Sequence, residues 1–196
     1  MNIIELEEVN STNLYAKENL DRLEDKTVII AKAQTCGRGR FDRKWIDLGE
    51  GNLFMTIVLK PSNSFEEVYS NLTQYLSVTL ALVLEEYGLS PKIKWPNDVM
   101  VNSGKISGIL SETVMQGSKF KGLVLGIGVN LNADKKDLKQ IKERVATALN
   151  IELEREYIDK NLFTKKLLHE FFKNYEEFLK QGFVMIKKYY IEKCNF

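Results

Sequence analysis

Apolar runs of strand length dominate the first two thirds of the chain. They cover residues 3–9, 27–34, 52–59, 92–94, 99–101, 105–114 and 121–129, and most are bounded by glycine, proline or asparagine. Apolar positions recur at helical spacing over 72–87, where Gly88 ends the pattern, and a shorter helix is predicted at 14–20. Strands interrupted by helices predict an α/β (α+β) fold, with a mixed β-sheet flanked by helices.

The last third of the chain has the apolar spacing of helices. We predict helices over 138–149, from a cap at Asp159 to Gly182, and over 183–190. Neither a repeat nor a low-complexity linker interrupts the 196 residues, a length that suits one domain. The pattern therefore predicts a single domain over 1–196, with a sheet-rich core at 1–132 and a helical part at 133–196.

Composition excludes several classes of protein. Lys and Arg total 28 and Asp and Glu total 27, so the formal net charge of +1 favours neither nucleic acid nor an anionic membrane. No apolar run reaches the roughly 18 residues that span a bilayer, and the amino terminus lacks the features of a signal peptide. Cys36 and Cys194 lack metal-ligand spacing, and His169 lies in an apolar helical pattern. We therefore expect a cytoplasmic protein with reduced thiols and no catalytic triad.

A cationic loop follows the second predicted strand. Within residues 34–45 there is one carboxylate, Asp42, and there are four cations, Arg38, Arg40, Arg43 and Lys44. Guanidinium groups suit phosphate or carboxylate, and we expect Gly37 and Gly39 to adopt positive φ and bring the backbone close to a ligand. The loop spans 35–51, a length typical of a binding or lid segment. Its basic pattern alone is also typical of a minor-groove arm or a solvated turn.

Polar clusters lie at the ends of the predicted elements. They are Ser11-Thr12-Asn13, Gln34 with the cationic loop, Lys94 to Asp98, Lys105 to Gly108, and Gly128 to Asn130. Ligands usually bind where loops leave the ends of strands in such sheets. Three glycines within 121–129 also indicate close approach by a ligand or by another backbone. The sequence therefore predicts that these clusters form one anion-binding site.

The ordered set of motifs resembles the biotin protein ligase family over nearly the whole chain. The matching motifs are STN at 11–13, GRGR at 37–40 with Arg43 and Trp45, KWPND at 94–98, KISGIL at 105–110 and GIGVN at 126–130. The resemblance implies the catalytic fold that biotin and lipoate ligases share with class II aminoacyl-tRNA synthetases. It also implies two steps, in which biotin and ATP form biotinyl-5'-AMP and the biotin then passes to a lysine of a biotin carboxyl carrier protein.

The resemblance also implies the site residues. The catalytic residues implied are Arg40, Lys105 and Asp98. The biotin-binding residues implied are Ser11, Thr12, Asn13, Gln34, Arg38, Gly39, Arg40, Lys105 and Gly108. The ATP- and adenylate-binding residues implied are Arg38, Arg40, Arg43, Trp45, Asn97, Lys105 and Asn130, with Trp45 against the adenine. Mg²⁺ is expected among the phosphates, with Asp98 beside it or orienting the acceptor lysine.

This residue set suits the chemistry, because attack of a carboxylate on a phosphate brings anions together. Cations and fixed hydrogen-bond donors are then needed more than a protein nucleophile. Arginine and lysine side chains dominate the implied site, in agreement with that need.

Two departures from the family concern the ends of the chain. Many relatives begin with a DNA-binding domain and finish with a small β domain, whereas here the motifs begin near Met1 and helices are predicted up to 190. We therefore expect no DNA binding and no carboxy-terminal β domain. Homodimerisation through a sheet edge is a further expectation that the family suggests.

Three other functions remain open at the level of sequence. A lipoate or octanoate transferase shares the implied fold, although GRGR and KWPND favour biotin. A protein that binds biotin or its adenylate without transferring it is a second alternative. Nucleic-acid binding rests on the cationic loop alone, and the net charge of +1 opposes it.

Overall fold

A computed structural model describes residues 2–41, 43–61, 64–141 and 145–194. Its sheet has seven strands in the order β1-β2-β3-β7-β6-β5-β4, of which β1 and β2 are parallel and the other neighbours antiparallel. The strands are β1 Ile3–Val9, β2 Val28–Gln34, β3 Leu53–Leu59, β4 Lys92–Lys94, β5 Asp98–Val101, β6 Gly104–Gln116 and β7 Lys119–Val129. The mixed sheet confirms the fold class predicted from the sequence.

Helices pack on both faces of this sheet. They are α1 Thr12–Glu18, α2 Glu67–Ser70, α3 Leu72–Glu86, α4 Lys135–Leu138, α5 Leu149–Glu152, α6 Lys160–Lys173, α7 Tyr175–Gln181 and α8 Lys187–Lys193, with 3₁₀ turns at Leu20–Arg22 and Gly182–Met185. None of the helices in the described ranges has both the length and the apolarity that crossing a bilayer requires.

The two faces of the sheet are covered differently. Met55 and Ile127 point to one face, which belongs to the main core and is covered by α3, with α6 packed on α3. The Tyr75 hydroxyl of α3 donates to the Phe171 carbonyl of α6 at 2.6 Å, which fixes the two helices together. The opposite face, here the cleft face, carries Thr56 and is covered at one end by α1. The rest of the cleft face is left open.

The predicted helix over 138–149 is wrong. Helix α4 ends at Leu138, and residues 145–149, here the strap, begin as extended chain beside β6. The Lys105 N–H donates to the Val145 carbonyl at 2.9 Å, and the Thr147 N–H donates to the Lys105 carbonyl at 3.0 Å. These sheet-like bonds occupy the backbone groups that a helix would need. Residues 142–144 lie outside the described residues.

The other helix boundaries differ less from the prediction. The helix predicted from Asp159 to Gly182 is broken at Asn174 into α6 and α7. Gly182 has φ of 64° and ends α7, as predicted. The last predicted helix, over 183–190, begins as a 3₁₀ turn and continues as α8. The cap at Asp159 is confirmed, because its carboxylate accepts from the Leu162 N–H at 2.9 Å.

Removing that cap should weaken the helical half of the chain. In Asp159→Ala the Leu162 N–H loses its acceptor, so we expect the free energy of unfolding to fall by about 1 kcal/mol. Asp159→Asn keeps an acceptor and should stay within about 0.5 kcal/mol of the wild type. Urea denaturation followed by circular dichroism measures both. A wild-type midpoint for Asp159→Ala would show that the cap contributes nothing.

Candidate active site

The open part of the cleft face holds a cleft of about 1470 Å³. Residues from all five predicted polar clusters line it, so the structure brings together segments that are distant in sequence. All fourteen predicted site residues are in the lining: Ser11, Thr12, Asn13, Gln34, Arg38, Gly39, Arg40, Arg43, Trp45, Asn97, Asp98, Lys105, Gly108 and Asn130. The five clusters therefore surround one cleft, and the binding roles of these residues stay predictions.

Glycines on β6 and β7 form the floor of the cleft. Gly108 and Gly128 pair directly across the two strands, and the indole of Trp45 lies against both. A Cβ at Gly108 would lie 2.9 Å from the Trp45 ring, and a Cβ at Gly128 would overlap it. These two glycines therefore accommodate a site side chain, whereas the sequence suggested a ligand or another backbone.

Gly126 makes room for Asn13 in the same way, because a Cβ at position 126 would overlap the Asn13 amide. The Asn13 Nδ2 donates to the Leu110 carbonyl at 3.1 Å, and its Oδ1 lies 2.7 Å from the Thr56 hydroxyl. These contacts fix which end of the amide faces Thr56. Asn13 is therefore held rigidly although it lies at the start of a short helix.

Thr56 and Gln34 extend this polar network to Thr12. The Thr56 Oγ1 lies 2.8 Å from the Thr12 Oγ1, and the Gln34 Oε1 accepts from the Thr12 N–H at 2.8 Å and from its hydroxyl at 3.2 Å. The side chain of Ser11, the N-cap residue of α1, makes no capping hydrogen bond. Gln34 thus satisfies a helix-start N–H that a cap usually satisfies.

The arms of the cationic loop form a small hairpin. The Gly39 N–H donates to the Arg43 carbonyl at 2.7 Å, and the Trp45 N–H donates to the Gly37 carbonyl at 3.0 Å. Neither Gly37 nor Gly39 has positive φ, so that prediction is wrong; Phe41, with φ of 54°, makes the turn. Both glycines instead allow the two arms to approach closely, since a Cβ at Gly39 would lie 3.3 Å from the Arg43 carbonyl oxygen. Asp42 lies outside the described residues.

Lys105 and Asp98 form an ion pair inside the cleft. Their Nζ and Oδ1 atoms are 2.6 Å apart, and the two side chains are 13% and 11% exposed. The register of β5 and β6 shifts here: Ser107 pairs with Val99 but Lys105 pairs with Met100. Such a β-bulge re-aims side chains, and it allows Lys105 and Gly108 to share the cleft face. The Lys105 Nζ lies 5.3 Å from the centre of the Trp45 ring.

Asn97 and Asn130 are engaged by backbone groups. The Asn97 Nδ2 donates to the Ile109 carbonyl at 2.8 Å, and the Asn130 Nδ2 donates to the Thr147 carbonyl at 3.0 Å. Asn130 also accepts, through its own carbonyl, the Leu149 N–H at 2.9 Å. Both side chains therefore shape the cleft, and Asn130 fixes the strap that forms one of its walls.

Glu112 of β6 lies beside these groups and was not recognised in the sequence. Its carboxylate accepts from the Asn13 Nδ2 and from the Lys17 Nζ, both at 3.0 Å, and lies 3.4 Å from an Arg38 nitrogen. Burial alone would raise the pKa of Glu112, but the hydrogen bonds from Asn13 and Lys17 and the Arg38 charge together hold that pKa below its ordinary value.

Thr56 was missed as well. The available sequence signal was weak for both residues: Thr56 is a single polar residue in the apolar run 53–59, and Glu112 is a charged residue between Ser111 and Thr113 on β6. Neither signal names a partner, because the residues that bond them are far away in the chain.

A metal site made by protein alone is absent from the described part of the chain, which has no group of three or more His, Cys, Asp or Glu side chains in suitable positions. Asp98 offers one carboxylate to the cleft, and that carboxylate already faces Lys105. The described part of the cleft therefore offers a divalent cation one carboxylate and no full set of protein ligands.

Comparisons with known proteins agree with the motifs. The model of the biotin/lipoate A/B protein ligase family matches residues 5–130. The bifunctional ligase/repressor BirA of Bacillus subtilis is 32% identical over 162 residues, covering 82% of this chain and 49% of that protein. The biotin–[acetyl-CoA-carboxylase] ligase of Paracoccus denitrificans is 36% identical over 133 residues, covering 64% of this chain and 53% of that protein. The chain spans about half the length of these curated relatives.

A solved structure extends the likeness to the whole fold. The biotin protein ligase from Aquifex aeolicus in complex with biotin and ATP has a TM-score of 0.83 and 30% identity, and the match covers 98% of this chain and 78% of that one. The resemblance inferred from the motifs is therefore confirmed. The family model matches most of this chain, and the chain shares its fold with a biotin protein ligase. The chain therefore belongs to the biotin/lipoate A/B protein ligase family, among the biotin protein ligases.

Proposed function

We propose that this chain is the catalytic part of a biotin protein ligase. It activates biotin with ATP to biotinyl-5'-AMP and then transfers the biotin to one lysine of a biotin carboxyl carrier protein. The observation that supports this most strongly is the meeting of all five motif clusters in one cleft, within a fold shared with a ligase that holds biotin and ATP. As in the sequence prediction, residues 1–196 act as one domain, in the cytoplasm.

The start of α1 is proposed to hold the head group of biotin. That head group is a cyclic urea, with one carbonyl acceptor and two N–H donors. Ser11, Thr12, Asn13 and Gln34 offer hydroxyl and amide groups of both kinds at this end of the cleft. Since the network through Thr56 is buried and already hydrogen-bonded, these groups meet the ligand in fixed positions. Gly108 acts from the floor of the cleft, where its lack of a side chain lets Trp45 and Lys105 lie close to the strand beside the ligand.

The cations are proposed to act in the first step. A biotin carboxylate oxygen attacks the α-phosphorus of ATP, a new P–O bond forms, and the bond to pyrophosphate breaks. Arg38, Arg40, Arg43 and Lys105 offset the negative charge that this approach concentrates. Gly39 lets the two arms of the loop that carries the arginines pack closely. Lys105 is the most firmly positioned of these cations, because Asp98 holds its ammonium in place. Trp45, Asn97 and Asn130 line the space proposed for the adenylate.

Magnesium bound to ATP would neutralise part of the triphosphate charge. Within the described residues the cleft offers it the Asp98 carboxylate and no cluster of carboxylates. We therefore propose that the phosphates supply most of its ligands.

The second step passes biotin to the carrier. The neutral amine of the carrier lysine attacks the acyl carbon of biotinyl-5'-AMP, an amide bond forms, and AMP leaves with the electrons of the broken C–O bond while the nitrogen gives up one proton to solvent. Asp98 lies in the lining and is proposed to orient the incoming amine. Homodimerisation through a sheet edge is retained as part of the proposal.

A mass assay tests the reaction. The protein is incubated with biotin, ATP, Mg²⁺ and a carrier domain, and we expect the carrier to gain the mass of one biotinyl group with release of pyrophosphate. Lipoate in place of biotin serves as the control for a lipoate ligase. Pyrophosphate release without a change in carrier mass would mean that transfer is lost, and neither event with folded protein would refute the enzyme.

Removing the Lys105 ammonium should slow adenylation. For Lys105→Ala we expect a loss on the order of 3 kcal/mol of barrier lowering, roughly a hundredfold in biotin-dependent pyrophosphate release. Because this change leaves Asp98 buried without its ion-pair partner, Lys105→Ala with Asp98→Asn checks that the loss does not come from instability. Lys166→Ala, which removes an exposed ion pair with Glu86, is the matched control. Unchanged pyrophosphate release in Lys105→Ala would refute its role.

Ligands should protect the cationic loop from trypsin. Arg38, Arg40 and Arg43 lie close together in this loop, so bound biotinyl-5'-AMP replaces their mutual repulsion with charge-assisted hydrogen bonds. We expect trypsin to cleave after these arginines in the ligand-free protein, and biotin with ATP to slow cleavage more than ATP alone does. Equal rates in a sample that binds biotin would show that the loop is not involved.

A further inference from the structure

Glu112 is a half-buried carboxylate that the proposed reaction does not use. It lies on β6 opposite Val124, which belongs to the small apolar cluster beneath α1. An apolar side chain at this position would pack with that cluster, whereas a carboxylate needs donors to offset its desolvation. The charge at this position therefore calls for an explanation.

Donors from two separate segments meet at this carboxylate. Asn13 and Lys17 belong to α1, and each donates at 3.0 Å, one to either oxygen. Arg38 belongs to the cationic loop, and its NH1 lies 3.4 Å from the Oε1 that Lys17 also contacts. Strand β2 separates Asn13 from Arg38 in the sequence. Through the single side chain of Glu112, β6 therefore connects α1, one wall of the cleft, with the cationic loop, the other wall.

We propose that Glu112 is a positioning residue that tethers Arg38 to the sheet and orients the Asn13 amide, so that the two walls of the empty cleft are held in their binding arrangement. Its ligand-binding consequence rests on the proposed function. The tether involves NH1 of a guanidinium that has five N–H donors, so Arg38 retains donors for an anion. A ligand then has less of the cationic loop to order, because Arg38 is already partly held.

The two parts of this role are separable by substitution. In Glu112→Gln the side-chain oxygen still accepts from Asn13, but the charge that holds Arg38 is gone. In Glu112→Asp the charge remains on a side chain that is one methylene shorter. The matched control is Glu86→Gln, which makes the same change in an exposed ion pair between α3 and α6, with Lys166.

Trypsin cleavage of the ligand-free protein tests the tether without any assumption about the reaction. We expect Glu112→Gln to raise the rate of cleavage after Arg38, relative to cleavage after Lys119 at the start of β7, by about threefold, as for loss of a partly exposed ion pair. The same ratio of cleavage rates should be closer to the wild-type value in Glu112→Asp, and it should equal the wild-type value in Glu86→Gln. An unchanged ratio, or a rise at both sites together, would overturn the proposal.

Kinetics then test the link to Arg38. If the wild type is active, Glu112→Gln should raise the KM for biotin about threefold and leave kcat within about twofold, because the effect is on binding. The same substitution in an Arg38→Ala background should have no further effect. Additive effects would overturn the proposal. An inactive wild type would refute the proposed function, and the trypsin ratio would still decide on the tether.

Discussion

The absence of side chains at the centre of the sheet is the constraint on which the site depends. Gly108 and Gly128 face each other across β6 and β7, and they leave space for the Trp45 indole to lie against the strands. Two residues along β7 from Gly128, on the same face, Gly126 leaves space for the Asn13 amide. A Cβ at any of these positions would displace a site side chain. The loop after β2 and the helix after β1 therefore approach one another over a floor of backbone.

Two carboxylates of the sheet hold Lys105 and Arg38 beside this floor. Asp98 pairs with Lys105, and Glu112 pairs with Arg38 and Lys17. A buried cation without such a partner would be strongly destabilising, whereas a paired one retains donors for an incoming anion. The ion pair with Lys105 is thus by itself a reason for a carboxylate at Asp98, next to the position proposed for the phosphate.

Local signals predicted the elements well where local interactions determine them. The Asp159 cap, the Gly182 stop and the strands that flank the cationic loop all depend on nearby residues, and each was found as expected. The strap was wrongly predicted as a helix because the Lys105 backbone, some forty residues earlier, takes its hydrogen-bonding groups. Glu112 and Thr56 were missed because a polar residue within a strand does not indicate its distant partners. The motifs identified the family because each is a short continuous stretch that can be read directly from the sequence. That they surround one cleft became visible only in the fold.

The central claim is that this cleft binds biotin and ATP side by side over the glycine floor. A crystal structure of the chain with both ligands tests it most directly. We predict the biotin head group at the start of α1, the nucleotide beside Trp45, and the Lys105 Nζ within hydrogen-bonding distance of the oxygens at the reacting centre. Ligands bound elsewhere on the chain, or an empty cleft at saturating concentrations of both, would contradict the account.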